Sequence, residues 1–255
     1  MRPEARARAV RAAAFALALV PAFAFASEAR AVTCRSDRFE GSPMTLCEVG
    51  QDEDLRLFLA GPQGPWGGFG PLNRALADTG ETLSFAMNAG MYHRDLSPVG
   101  LFIEKGIERA PLVTRAGPGN FGMLPNGVFC WGDSGFRIVE SRSFAQDPPA
   151  CTYATQSGPL LVIGGTLHPR FLPDSDSALI RNGVGVSSDG SRAVFVISDG
   201  PVNFHRFARY FRDRLGLDNA LYLDGNISRL FAPSLGRDDL GRNMGPIVGV
   251  VVPAG

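Results

Sequence analysis

Residues 193–225 have the sequence AVFVISDGPVNFHRFARYFRDRLGLDNALYLDG, and this stretch decides the fold. Two short apolar runs, 193–198 and 220–223, are rich in residues that favour strands, and each is followed by Asp-Gly. Between them, apolar side chains recur at helical spacing. These side chains are Phe204, Phe207, Ala208, Phe211 and Leu215. The pattern predicts a strand-helix-strand crossover near residues 193–224, with the helix over 203–215.

The crossover also predicts where a functional site would lie. A unit of this length is nearly always a right-handed connection between parallel strands. Both strands therefore end at the same edge of the sheet, and Asp199 and Asp224, which follow them, lie at that edge. Ligands of such sheets bind beyond the carboxyl ends of the strands. We therefore expect the two carboxylates to share one cleft.

The rest of the chain has the composition of a strand-rich domain. Its 31 glycines and 19 prolines separate short apolar segments, as in folds with many tight turns. Further strands are predicted at 55–60, 83–88, 100–104, 127–131, 136–139, 160–163, 183–187 and 247–252. One more short helix is predicted after Pro71. The predicted fold class is therefore α+β, dominated by a mixed sheet or by two packed sheets, with few helices.

The N terminus predicts export. Four arginines precede an apolar stretch at 12–26, which ends in the small-x-small pattern Ala24-Phe25-Ala26. We interpret residues 1–26 as a secretory signal peptide and 27–255 as a single domain, periplasmic or secreted. The alternative is an uncleaved anchor, but the stretch is shorter than the roughly 20 residues that span a bilayer. No later segment predicts stable membrane insertion.

The charge balance argues against a nucleic-acid partner. The chain has 25 basic and 25 acidic residues. Removal of the predicted signal takes away four arginines and one glutamate, which leaves 21 basic and 24 acidic residues. A protein that binds nucleic acid needs a basic surface, which this composition does not indicate.

Four cysteines form an even set, which in an exported protein predicts two disulfides. Three pairings are possible. We favour the local one, in which Cys34 pairs with Cys47 and Cys130 with Cys151, so that each bridge closes a modest loop. The absence of a C-x-x-C spacing and the oxidising compartment argue against a zinc site built on these cysteines.

Six short motifs follow one another along the chain. They are FAMNAGMY at 85–92, PVGL at 98–101, GNFG at 119–122, QSGPL at 156–160, RNG at 181–183 and LDGNIS at 223–228. In this order they resemble the phosphodiester glycosidase family, and the likeness runs from about residue 85 to residue 252. NFHRFA at 203–208 and MGPI at 244–247 are similar to a bacterial exported subgroup. One departure is that Asn226-Ile227-Ser228 stands where much of the family has a glycine-rich run followed by serine.

The resemblance implies hydrolysis of a sugar C1–O bond to a phosphodiester, in a carbohydrate or phosphoglycan substrate and without a cofactor. Such a reaction builds positive charge on the sugar ring, which one carboxylate stabilises while a second group handles the leaving oxygen or the water. Asp224 and Asp199 are the candidates for this pair. The alternative is that each Asp-Gly only terminates a strand. His205, near the start of the helix, is a candidate acid or base, or else solvates the helix end.

The candidate substrate-binding residues are Arg181, Asn88, Gln156, Ser228 and Gly225. A guanidinium such as that of Arg181 can hold two phosphate oxygens at once. Asn88 and Gln156 can bond sugar hydroxyls, or instead fix turns. No metal site is predicted, because neither H-E-x-x-H nor a calcium-loop pattern occurs. The competing function is a glycan-binding or envelope-assembly protein that keeps the pocket without turnover, an alternative that Ile227 favours.

Overall fold

The computed structural model describes residues 32–255, apart from the side chain of Asn226, so the predicted signal peptide at 1–26 lies outside the described residues. The strands are β1 (Thr33–Phe39), β2 (Ser42–Gly50), β3 (Asp54–Phe58), β4 (Ala60–Gly61), β5 (Gly64–Pro65), β6 (Glu81–Asn88), β7 (Phe102–Glu104), β8 (Ile107–Ala110), β9 (Gly127–Gly132), β10 (Gly135–Glu140), β11 (Tyr153–Ser157), β12 (Leu160–Ile163), β13 (Thr166–Leu167), β14 (Asn182–Val186), β15 (Arg192–Ser198), β16 (Asn219–Tyr222), β17 (Leu230–Ala232), β18 (Arg237–Asp238) and β19 (Ile247–Pro253). The α-helices are α1 (Phe69–Ala77), α2 (Ser141–Gln146) and α3 (Phe204–Arg209). A π-helical turn (Tyr210–Arg214) and two 3-10 turns (Gly225–Ile227 and Pro233–Leu235) complete the helical segments of the described part.

Three sheets form the body of the protein, which confirms the α+β, strand-rich prediction. The seven-stranded sheet has the order β1-β2-β15-β14-β16-β12-β13. The other two have five strands each, in the orders β10-β9-β11-β7-β8 and β18-β17-β6-β19-β3. Within residues 32–255, neighbouring strands of these sheets pair antiparallel. None of the helices described here is long and apolar enough to cross a bilayer.

The predicted crossover is present, with one strand inserted in it. β15 and β16 both pair antiparallel with β14, which lies between them. They therefore run in the same direction, as predicted, but they are not hydrogen-bonded neighbours. The helix predicted over 203–215 is α3 followed by the π-helical turn. Asn203 caps α3, because its Oδ1 accepts a 2.9 Å hydrogen bond from the Arg206 backbone N–H.

The helical segment lies close against the seven-stranded sheet because β14 contains glycines. Phe207 and Phe211 are fully buried in a core that they share with β2, β15 and β16. A Cβ atom on Gly185 would lie only 2.8 Å from a ring carbon of Phe211. A Cβ on Gly183 would lie 2.7 Å from the carbonyl oxygen of Leu221. Any other residue at these positions would force the helix or β16 away from β14.

The largest core joins all three sheets, and Phe195 of β15 lies at their meeting point. Its ring centroid is 5.0 Å from that of Phe85 on β6 and 5.8 Å from that of Phe129 on β9. Fully burying a phenylalanine stabilises a fold by roughly 1.5–3 kcal/mol. This core therefore holds the three sheets in a fixed arrangement, and β15, one of the two strands that lead to the aspartates, is part of it.

Several elements of the structure were not predicted from the sequence: the β1–β2 hairpin, helix α2, and the strands β4, β5, β8, β11, β13, β17 and β18. The β1–β2 hairpin was missed because β1 is largely exposed and polar, so it shows little apolar alternation. Helix α2 was missed because it is only six residues long and is defined by its cap. The Glu140 carboxylate accepts hydrogen bonds from the backbone N–H groups of Arg142 and Ser143 at 2.9 Å each.

Both disulfides form in the favoured local pairing, Cys34 with Cys47 and Cys130 with Cys151. The first joins residues that face each other across β1 and β2. The second ties β9 to the segment that enters β11. No free cysteine remains in the described residues.

Removal of the second bridge by Cys130→Ser/Cys151→Ser is expected to lower the free energy of unfolding by about 3 kcal/mol, because the loop of 21 residues gains freedom in the unfolded chain. Urea denaturation of the variant and the wild type measures the difference. Cys34→Ser/Cys47→Ser, which opens a loop of 13 residues, should cost slightly less. Equal stability of the second-bridge variant and the wild type would contradict the expectation.

Candidate active site

The carboxyl ends of β15 and β16 lie on either side of the start of β14. Ile197 pairs with Asn182, and Gly183 pairs with Tyr222. The ladders extend past the named strands, because the Ser198 N–H donates to the Arg181 carbonyl at 2.8 Å and the Leu223 N–H to the Asn182 carbonyl at 3.1 Å. Two strand spacings thus separate the backbones of the two aspartates that follow, a distance of about 10 Å.

Two adjoining hollows open at this edge, with volumes of about 600 Å³ and about 280 Å³. The larger lies within the usual range of small-molecule sites, roughly 300–1,000 Å³. Four residues line both hollows, and we call the combined space the edge cleft. The shared residues are Ile180, Ser228, Arg229 and Leu240. Gly225 lines only the larger hollow, whereas Asp199 and Arg237 line only the smaller.

Asp199 is held in a fixed orientation in the smaller hollow. Its Oδ1 accepts a 2.6 Å charge-assisted hydrogen bond from Nη1 of Arg237, and its Oδ2 accepts a 2.8 Å bond from the Thr45 hydroxyl. The side chain remains 27% exposed. Arg237 is itself fixed by Asp239, which accepts from its Nε and Nη2 atoms. The carboxylate therefore faces the cleft in one geometry.

Asp224 lies at the base of the loop that lines the larger hollow, and the residue is 8% exposed. Its carbonyl oxygen accepts a 3.0 Å hydrogen bond from Nδ2 of Asn88. Burial and, to a lesser degree, the negative charge of Asp224 raise the pKa of Tyr92 to about 12. The next residue has to be glycine, because a Cβ on Gly225 would lie 1.4 Å from the Tyr222 hydroxyl oxygen.

Arg181 is fully buried beside the cleft, with a guanidinium bound by the protein itself. Its Nε and Nη2 atoms donate to the carbonyl oxygens of Val202 and Ser177, both at 2.8 Å. Its Cζ lies 3.6 Å from the centroid of the Phe204 ring, a cation–π contact. Burial lowers its pKa. In this arrangement Arg181 joins the residues before β14 to α3, and it does not line the edge cleft.

Asn88 and Gln156 both bond backbone groups. The Asn88 Oδ1 accepts from Nδ2 of Asn182 at 2.7 Å and from the backbone N–H of Arg229 at 3.0 Å. The Gln156 Oε1 accepts from the backbone N–H groups of Leu101 and Val113, at 3.0 Å each. Both side chains are 1% exposed. The contacts match the turn-fixing alternative for these residues.

The remaining candidates, Ser228 and His205, differ in whether they line the cleft. Ser228 lines both hollows, and its hydroxyl donates to the Ile180 carbonyl at 3.2 Å. His205 is the second residue of α3 and lines neither hollow. The edge cleft therefore brings together Asp199, Gly225 and Ser228, whereas Asp224, the residue before Gly225, lines neither hollow.

Arg229, which lines both hollows, was not among the residues predicted from the sequence. It directly follows the LDGNIS motif, so the signal was one residue beyond the segment that we singled out. Its Nε and Nη1 donate to the carbonyl oxygens of Asp239 and Arg242 at 2.9 and 2.7 Å. No carboxylate lies within ion-pair distance of it in residues 32–255, and burial lowers its pKa. Arg229 is 8% exposed, and its Cζ lies 5.4 Å from the centroid of the Phe69 ring.

The candidate metal ligands of the described residues are dispersed. Between residues 32 and 255, no three side chains of the His, Cys, Asp and Glu types are grouped so as to hold a metal ion. The three histidines are spread over separate segments, and His168 is buried, with its Nδ1 accepting from the Arg170 N–H. Among the described residues that line the cleft, the polar and charged side chains are aspartate, arginine and serine.

Residues 81–250 match the model of a family described as phosphodiester glycosidase. The chain is 34% identical to the uncharacterized protein YigE of Escherichia coli K12 over 221 residues. The alignment covers 85% of this chain and 83% of YigE.

Two solved structures share the fold. One is the catalytic domain of zebrafish N-acetylglucosamine-1-phosphodiester alpha-N-acetylglucosaminidase, auto-inhibited by its pro-peptide. It has a TM-score of 0.62 at 13% identity, over 88% of this chain and 84% of that one. The other is a Burkholderia pseudomallei protein described as a candidate exported protein, with a TM-score of 0.55 at 11% identity, over 82% of this chain and 74% of that one.

Proposed function

The chain belongs to the phosphodiester glycosidase family, and from this premise we propose that it is an exported hydrolase that cleaves the bond between C1 of a sugar and a phosphodiester, in a glycan or envelope polymer. One observation carries the proposal. The edge cleft combines a fixed aspartate carboxylate with an arginine that has no ion pair in the described residues. The two disulfides support export, since such bridges persist in oxidising compartments.

Arg229 binds the phosphate in this proposal. It lines both hollows, so an anion beside it would lie at their junction. Its Nη2 makes no hydrogen bond within residues 32–255 and can donate to a phosphate oxygen. The Ser228 hydroxyl lies at the same junction and offers a second polar contact. The sugar then occupies the larger hollow, against the loop that begins at Asp224.

The two aspartates divide the chemistry. Asp224 stabilises the positive charge that develops at C1, or attacks it, and Asp199 handles the water or the leaving oxygen. Arg237 and Thr45 hold Asp199 in one orientation, which suits a group that must position a small molecule. The phosphate monoester that is released is already a good leaving group, so the site needs no strong general acid. A role for His205 is therefore unnecessary in this mechanism.

The alternative function, glycan binding without turnover, has one observation in its favour. Both carboxylate oxygens of Asp199 already accept hydrogen bonds, and Asp224 is only 8% exposed. A carboxylate in use by the protein is less able to act on a substrate. Turnover has to decide between the two functions.

Incubation of the purified mature protein with a sugar 1-(methyl phosphate) diester, with and without a chelator, tests the proposal. We expect release of methyl phosphate that is unchanged by the chelator. Turnover that the chelator abolishes would indicate a metal enzyme. Saturable binding without release would support the glycan-binding alternative.

Arg229→Gln is expected to raise KM about 10- to 100-fold, because a charged hydrogen bond to the phosphate contributes about 1.5–3 kcal/mol. Steady-state kinetics on the same diester measures the change. Arg137→Gln serves as the matched control, since Arg137 is an exposed arginine of β10 in another sheet. A loss in kcat with unchanged KM would contradict the assignment of phosphate binding to Arg229.

A further inference from the structure

We propose that the alcohol on the far side of the phosphate is a long alkyl-type chain, so that the substrate is an amphipathic sugar phosphodiester. The inference rests on the proposed function and deepens it. It concerns one wall of the larger hollow, to which the proposed mechanism assigns no role.

One wall of the larger hollow is apolar and exposed to solvent. Leu179, Ile180 and Leu240 line it with exposed fractions of 47%, 45% and 86%. The exposed large apolar side chains of residues 32–255 are six, and these three belong to one hollow. The other three are Ile107, Leu172 and Leu235. A contiguous apolar surface beside a polar pocket marks a binding site more often than scattered exposed residues do.

The apolar wall is continuous with the position proposed for the phosphate. Ile180 and Leu240 line both hollows, as Arg229 does. The guanidinium of Arg242 also lines the larger hollow, and within the described residues neither arginine forms an ion pair. The cleft thus presents positive charge next to an apolar face. An anionic phosphodiester with an alkyl chain has the complementary arrangement of charge and apolar surface.

A second copy of this chain is a poorer occupant of the same face. A stable protein–protein interface buries about 800 Å² on each partner. Three side chains around a concave hollow expose far less area than that. Their position around a cleft, and not on a flat surface, favours a narrow ligand such as a chain of methylene groups.

Titration calorimetry of the mature protein with two phosphodiesters, methyl decyl phosphate below its micelle concentration and dimethyl phosphate, tests the proposal. We expect methyl decyl phosphate to bind at least tenfold more tightly, because each buried methylene adds affinity. In Leu179→Asn/Leu240→Asn the two affinities should become equal. Ile107→Asn, which changes an exposed side chain of β8 in another sheet, should keep the wild-type preference.

Three results would overturn the proposal: equal affinity for the two phosphates in the wild type, equally tight binding of decyltrimethylammonium, or a dimer in sedimentation that Leu240→Asn dissociates. The first result would show that the alkyl chain does not contribute to binding, and the second that the phosphate does not. The third would show that the apolar face is an interface between two copies of the protein. Hydrolysis of the sugar 1-(methyl phosphate) is measured separately, because that substrate has no long chain. Absence of the alkyl preference in the wild type, together with hydrolysis of the sugar 1-(methyl phosphate), would refute this inference and leave the proposed function intact.

Discussion

Asp224→Asn is expected to lower kcat on a sugar 1-(methyl phosphate) by about 10²- to 10⁴-fold, the usual range for loss of a group that acts on the reacting atoms. Asparagine has the size of aspartate and keeps one acceptor oxygen, but it carries no charge to stabilise a cationic ring. The hydrogen bond that Asn88 donates goes to the carbonyl oxygen of residue 224, which the substitution retains. Because the substitution also keeps the size of the side chain and one acceptor oxygen, we expect a change in stability below about 1 kcal/mol, or a shift in Tm of about 2–4 °C at most.

The control for this variant is Asp133→Asn, which removes an exposed carboxylate from the turn between β9 and β10. It should leave both kcat and Tm unchanged. If Asp224→Asn instead unfolds at a much lower temperature, the carboxylate serves the fold, and the catalytic role assigned to it is wrong. If kcat stays within a factor of two of the wild type, another group carries the charge stabilisation.

Asn88→Ala is expected to lower the free energy of unfolding by about 3–5 kcal/mol. Its amide satisfies three buried groups at once: the Asp224 carbonyl, the Arg229 N–H and the Asn182 side-chain amide. Alanine would leave each of them without this partner, and an unsatisfied buried polar group costs about 1–3 kcal/mol. The costs do not add fully, because the three groups share one network.

Urea denaturation measures the stability loss, and Asn243→Ala is the matched control. Asn243 is exposed, and its side chain makes no hydrogen bond in residues 32–255. Activity should also fall in Asn88→Ala, because the amide connects both ends of the loop from Asp224 to Arg229. If the variant keeps wild-type stability and loses only substrate affinity, Asn88 binds the sugar directly, as the sequence had suggested.

These predictions separate two layers of the site. The surface layer consists of Asp199, Ser228 and Arg229, which line the edge cleft. The buried layer consists of Asn88 and Arg181, which fix the chain segments that carry the surface layer. Substitutions in the surface layer should change kinetics, and those in the buried layer should change stability first.

The sequence by itself determined several local elements and the edge of the sheet at which the candidate site lies. Helical spacing of apolar residues predicted the helix over 203–215, and two Asp-Gly pairs after apolar runs predicted the edge at which both aspartates lie. Even the disulfide pairing followed from cysteine spacing and an even count. These features depend on residues that are near one another in the chain, so the pattern of side chains records them directly.

Only the tertiary structure decided which polar groups face the cleft. It inserted β14 between the two strands of the crossover, buried Arg181 against Phe204, and left Arg229 at the junction of the hollows. Whether a side chain binds a ligand or the protein depends on what surrounds it, and those neighbours come from distant segments. Asn88 meets Asp224 across 136 residues of sequence and Arg229 across 141. A local sequence pattern does not contain such contacts. The exposure of these side chains and their hydrogen-bond partners could therefore be read only from the folded structure.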